Sequence, residues 1–107
     1  MRYLLFIFII VFSMLFAAVQ GKVQNTYYSS GKIKASYTYD SNNKLNGPCK
    51  TYYENGKLQS EGKYLDGSLN GEYLEYYDTG VLKSKYIFAN GKMAGVLSYD
   101  KNGKLNW

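Results

Sequence analysis

Histidine is absent from the 107 residues, and cysteine, proline, arginine and tryptophan occur once each. Without histidine there is no Ser-His-Asp or Cys-His arrangement for nucleophilic catalysis. One cysteine and no histidine also remove the ordinary zinc sites. Cys49 has no internal partner, although small exported domains often rely on disulfide staples. It reads as a small apolar strand residue, the competing reading being an intermolecular disulfide. The formal charge is +5, and Arg2 is the sole arginine, so the basic character is almost wholly lysine. Those lysines alternate with acids. That pattern argues against a nucleic-acid channel, in which a continuous basic groove accompanies stacking aromatics.

Long apolar runs are confined to the start of the chain. Arg2 is followed by YLLFIFIIVFSMLFAAV, seventeen uncharged residues, and then by Gln20-Gly21-Lys22. A positive start, an apolar middle and small residues near the end describe a secretory signal peptide over residues 1–21. An uncleaved signal anchor is the alternative, although a spanning helix needs about 20 apolar residues. Either reading sets an apolar helix before the fold and sends residues 22–107 out of the cytoplasm, as a periplasmic, secreted or membrane-anchored protein. No cysteine follows the run, so nothing marks a lipoprotein.

Tyrosine dominates the remainder: twelve stand in residues 22–107, with twelve lysines and eight acids. They recur with a period. YYSSGKI begins at Tyr27, YYENGKL at Tyr52, YYDTGVL at Tyr76 and YDKNGKL at Tyr99. The turn glycines Gly31, Gly56, Gly80 and Gly103 lie 25, 24 and 23 residues apart. An interleaved set, KLNG, SLNG and KMAG, ends at Gly47, Gly71 and Gly95 with a spacing of 24. Two registers with one period define a repeat. Each period reads as two strands and two turns, and five Asn-Gly dipeptides supply turn chemistry suited to type I′ hairpins. Asn55-Gly56 is the clearest of these. Asn43 stands where Gly67 and Gly91 stand, consistent with a left-handed position. Pro48 is placed at a strand start, where a missing N–H is tolerated.

The strands alternate. Ile33, Ala35, Tyr37 and Tyr39 share a face, as do Leu58, Ser60, Gly62 and Tyr64, and Leu82, Ser84, Tyr86 and Phe88. Lys34, Gln59, Lys83 and their alternates take the other face. No segment after residue 21 carries a helical period. The expected fold is all-β: a single-layer antiparallel meander of seven or eight strands, built of stacked hairpins about 24 residues apart.

Gly71–Gly95, GEYLEYYDTGVLKSKYIFANGKMAG, resembles the bacterial variant of the MORN repeat, and the likeness extends from about Tyr27 to Leu105. In the last copy Tyr99 lies four places before Gly103, whereas Tyr53 lies three before Gly56, which reads as one extra residue. The resemblance implies an elongated, twisted sheet that serves as a scaffold for protein contacts and sometimes lipid contacts. A subset is called YwqK-type antitoxin.

The enzyme reading fails on the residues. No Gly-Lys pair completes a phosphate-binding loop. Ser60 and Lys63, three apart on a strand, point to opposite faces. No cofactor or metal is expected. Lys22, Lys32, Lys44, Lys57, Lys92 and Lys104 cap strands and turns, where they discourage edge pairing; they also allow a weak pull toward anionic membrane. The favoured reading is a non-catalytic protein-interaction module at the cell envelope, because a lone sheet has nothing of its own to cover its tyrosine-rich face. The expected contact residues are Tyr52, Tyr53, Tyr73, Tyr76 and Tyr77. The second reading is a YwqK-type antitoxin or immunity protein with a toxin as partner. Self-association and membrane contact through the N-terminal segment complete the partner expectations; nucleic acid is not expected.

Overall fold

A computed structural model describes residues 21–106. The expected apolar helix and signal segment lie outside the described residues except for Gly21, and so does Trp107. Among the described residues there is no helix, hence none long and apolar enough to cross a membrane.

Nine strands form one antiparallel sheet: β1 (Lys22–Tyr27), β2 (Ile33–Tyr39), β3 (Leu45–Tyr52), β4 (Leu58–Leu65), β5 (Ser68–Leu69), β6 (Gly71–Tyr76), β7 (Leu82–Ala89), β8 (Lys92–Tyr99) and β9 (Leu105–Asn106). Sheet order is β1-β2-β3-β4-β6-β7-β8-β9, with the short β5 also paired to β4. The meander is therefore as expected, with neighbours in sequence lying side by side. The strand count is higher because β5 and β6 are two pieces of one strand. The break falls after Asn70, whose N–H still donates to the carbonyl of Lys63 opposite it at 3.0 Å; Gly71 (φ 83°) then shifts the register before β6 pairs with β4.

Two kinds of turn join the strands. At Tyr53–Lys57 the Gly56 N–H donates to the Tyr53 carbonyl (2.9 Å), and the Tyr53 N–H donates to the Lys57 carbonyl (2.8 Å). Gly56 has φ +88° while Asn55 keeps negative φ. This is a three-residue loop with a left-handed closing residue, not the type I′ turn expected there. The loops at Tyr28, Tyr77 and Asp100 repeat the pattern, and so does the one at Asp40, where Asn43 (φ 60°) takes the glycine's place. The two-residue type I′ turns are Asp66-Gly67 and Asn90-Gly91, each with both φ angles positive.

Equivalent hydrogen bonds also correct the alignment of the last copy. Asp100 occupies the place of Tyr53, so Tyr99 matches Tyr52, and no residue is inserted. Tyr52 pairs with Leu58, Tyr76 with Leu82 and Tyr99 with Leu105.

Asn46-Gly47 and Asn70-Gly71 are not hairpin turns. Both glycines have positive φ within strand regions, where the pairing is irregular. Tyr37 pairs with Cys49 and Tyr39 with Leu45, which leaves Asn46, Gly47 and Pro48 opposite Thr38. Pro48 thus sits inside β3 rather than at its start. The bulge removes the need for its N–H, and Thr38 Oγ1 donates to its carbonyl at 2.8 Å.

Residues paired across an antiparallel ladder share a face. Thr26, Ala35, Thr51, Ser60, Glu75, Ser84, Ser98 and Asn106 consequently form one row of mostly small polar residues across the whole sheet. Three members of this row, Ala35, Ser60 and Ser84, are buried, as is Cys49 in the adjoining row. Those four are the buried core among the described residues, and no side chain is completely enclosed. The face carrying them is the covered face. Lys34, Ser36, Glu61, Leu74, Lys85 and Ile87 belong to the opposite face.

Candidate interaction surface

The hairpins are tied together by tyrosine hydroxyls at the end of the three-residue loops. Tyr28 Oη donates to the Tyr52 carbonyl (2.5 Å), Tyr53 Oη to the Tyr76 carbonyl (2.6 Å) and Tyr77 Oη to the Tyr99 carbonyl (2.9 Å). Each bond crosses from one repeat to the next, so the doubled tyrosine in each motif has a divided role. The second tyrosine clamps forward, and the first supplies the carbonyl that the preceding clamp holds. Lys34 and Lys83 lie over the Tyr28 and Tyr77 rings at 5.6 and 5.7 Å from the centroids. The opposite end is stitched by backbone: Gly67 N–H donates to the Leu45 carbonyl (2.7 Å) and Gly91 N–H to the Leu69 carbonyl (3.0 Å).

All five tyrosines expected to form the contact surface are half-buried. Tyr53, Tyr73 and Tyr76 line a single cleft of about 270 Å3, together with Thr51, Gln59, Ser60, Glu75 and Lys83. Tyr52 and Tyr77 do not line it. Tyr73 is fixed by packing. A Cβ at Gly62 would stand 2.6 Å from its ring, and its centroid lies 6.2 Å from that of Tyr86 and 6.5 Å from that of Phe88, the latter edge-on. Such tilted and edge-on geometry suits aromatic quadrupoles.

Tyr76 lies on the opposite side of β6 from Tyr73, and its hydroxyl donates to Glu61 Oε1 at 2.9 Å. Burial, and next the hydrogen bond and negative charge of Glu61, disfavour its phenolate and push the phenol up to about 12. Burial likewise raises Tyr37 and Tyr64, with the neighbouring Cys49 adding to both. The Cys49 thiol is raised chiefly by burial. At 5% exposure in a strand paired on both sides, Cys49 is packed as a small apolar residue.

The turn glycines Gly31, Gly56, Gly80 and Gly103 all have positive φ; the first three close the loops from which the clamping tyrosines extend, and Gly103 closes the loop that begins at Asp100. They set the surface's geometry without lining the cleft. Three of these loops, those of Gly31, Gly56 and Gly80, fall within the residues matched in the comparison with known families. The model of the MORN repeat variant matches residues 20–41, 45–66 and 69–90. This chain belongs to the MORN repeat variant family. Among curated proteins and solved structures, none matches it. MORN repeats are in general protein- and membrane-interaction modules and in general non-catalytic.

Three MORN matches fall on the three hairpins that begin at β1, β3 and β5. The cleft lies where the second and third meet. Sequence reasoning missed Glu75, Ser84 and Tyr28. The signal for Glu75 was present in the repeat itself, since Thr26, Thr51 and Ser98 hold its place in the other copies. Among the described residues, no group of three His, Cys, Asp or Glu side chains gathers as metal ligands do.

Proposed function

We propose that this MORN-variant chain is an exported, non-catalytic interaction module that docks a protein partner at the cell envelope. One observation carries the reading: Tyr53, Tyr73 and Tyr76 line one cleft in an open sheet that has no second layer among the described residues. Tyrosine offers a large contact area and a polar tip at little conformational cost, as interface anchors do. The Tyr53 hydroxyl bond to the Tyr76 carbonyl and the packing of Tyr73 against Gly62, Tyr86 and Phe88 preorganise these side chains, which lowers the entropy lost on docking. Export rests on the leader's charge and hydropathy pattern.

The test is site-specific photocrosslinking in cells that produce the full chain. A benzophenone side chain at Gln59, on the rim of the cleft, is expected to give one discrete adduct of higher mass. The same group at Ile87, on the opposite face, is expected to give none. Absence of a discrete adduct at Gln59, or an equal one at Ile87, overturns the reading. A YwqK-type antitoxin role specifies a toxin as that partner, and mass spectrometry of the adduct decides it.

A further inference from the structure

Glu75 departs from its own repeat. In the other copies the matching residues are Thr26, Thr51 and Ser98. The fold needs only a small hydroxyl there, as the Thr51–Ser60 pair demonstrates, with its two side-chain oxygens 2.5 Å apart across the ladder. Glu75 pairs with Ser84 in β7 as Thr51 pairs with Ser60, yet no such bond joins Glu75 and Ser84. The half-buried Glu75 carboxylate makes no ion pair or hydrogen bond with another described residue. By contrast Glu72, on the opposite face, is paired with Lys85 at 2.8 Å. The one cation lining the cleft, Lys83, has its ammonium over the Tyr77 ring.

A carboxylate that lines a cleft without an ion-pair partner offers a charge-assisted hydrogen bond to a cation. Tyr53 and Tyr73 line the same cleft, and aromatic faces attract ammonium and guanidinium groups. We propose that this cleft is a receptor for one basic side chain of the partner, a lysine or an arginine, with Glu75 as the counter-charge and the Tyr53 and Tyr73 side chains beside it. The inference rests on the protein-docking reading and specifies its chemistry.

The 15N-labelled full chain in detergent micelles is titrated with Nα-acetyl-lysine amide and, separately, with the neutral isostere Nα-acetyl-norleucine amide. The lysine probe is expected to shift the amides of Glu75, Ser60 and Ser84 saturably, with a dissociation constant on the order of 1 mM, and the norleucine probe to bind about tenfold more weakly. Glu75→Thr restores the residue type of the other copies and is expected to abolish the response, and Glu75→Gln, which keeps the shape, to do the same. Glu72→Gln is expected to retain it. Thermal melts of both Glu75 variants establish that they fold. Equal response to the two probes, an unchanged response in either folded Glu75 variant, or shifts spread over Glu54 and Asp78 would overturn the proposal. So would a response to a neutral N-acetylglucosamine trisaccharide without one to the lysine probe. If the Gln59 adduct survives in a Glu75→Thr background, the basic-side-chain receptor falls while docking stands. If the wild-type chain yields no adduct yet binds the lysine probe, docking falls and the cation site stands.

Discussion

Tyr76 illustrates how one hydroxyl can couple stability to pH. Its proton is shared with Glu61 Oε1, and both burial and that carboxylate hold the phenol up to about 12. An unfolded tyrosine releases its proton near pH 10. Between roughly pH 10 and 12 the native state therefore keeps a proton that the unfolded chain gives up. The stabilisation is complete below the unfolded value and is lost as pH rises through the native one. Tyr37 and Tyr64, raised mainly by burial, act in the same direction. The melting temperature is expected to fall across that interval, and Tyr76→Phe is expected to flatten the fall while leaving Tyr37 and Tyr64 to supply the remainder. Far-ultraviolet circular dichroism melts at fixed ionic strength read this out. An identical slope in the variant would mean that Glu61 does not hold the Tyr76 proton in the folded chain.

At the level of elements, the closing residue of each three-residue loop controls strand register. Gly56 has φ +88° and no neighbouring atom within 4 Å of an added Cβ, so the cost of a side chain there is purely one of backbone conformation. Gly56→Ala is expected to destabilise the chain by about 1–2 kcal/mol, the left-handed penalty of an L-residue. Gly56→Asn is expected to cost less, because Asn43 already serves at φ 60° in the equivalent loop. Urea denaturation with an unchanged m-value measures both, and equal costs for the two variants would contradict the argument. The strands themselves were legible in the sequence: alternation fixed the faces, with Ala35, Ser60 and Ser84 all falling on the side expected to be covered. Turn type was not legible, because the same Asn-Gly dipeptide closes a three-residue loop at Asn55, forms a type I′ turn at Asn90 and kinks a strand at Asn46. Which role it takes depends on the register of the flanking strands, and that is set by partners far along the chain. The tyrosines of the cleft were legible as a group, but their division between clamps and lining residues was not. The clamps become evident only when hairpins about 23 residues apart lie side by side.

For the whole molecule, the ladder is uneven. The pairs β1–β2, β3–β4, β6–β7 and β7–β8 each hold six residue pairs, whereas two joints are interrupted: β2–β3 holds four pairs, and β4 meets the broken β5–β6 strand through Tyr64↔Leu69 and Leu65↔Ser68 at one end and Ser60↔Glu75 and Glu61↔Leu74 at the other. The second of these, the seam between β4 and the β5–β6 strand, runs beneath the cleft. In a linear array each repeat is stabilised by its neighbours, so a thin contact sets where partial opening occurs. Tyr53 Oη reaches across it to the Tyr76 carbonyl. Deleting that hydroxyl with Tyr53→Phe removes a hydrogen bond worth about 1 kcal/mol, which corresponds to roughly fivefold faster exchange of amides protected by the seam (RT being about 0.59 kcal/mol). Hydrogen-exchange mass spectrometry is expected to show that acceleration for the peptides covering Ser60–Glu61 and Leu74–Glu75, with little change in the β2–β3 ladder at Ala35–Tyr37. Tyr28→Phe, whose hydroxyl meets the Tyr52 carbonyl, is expected to leave the seam as it is. A uniform acceleration of every strand by Tyr53→Phe would show instead that the nine strands open as one cooperative unit and that the cleft spans no weak joint.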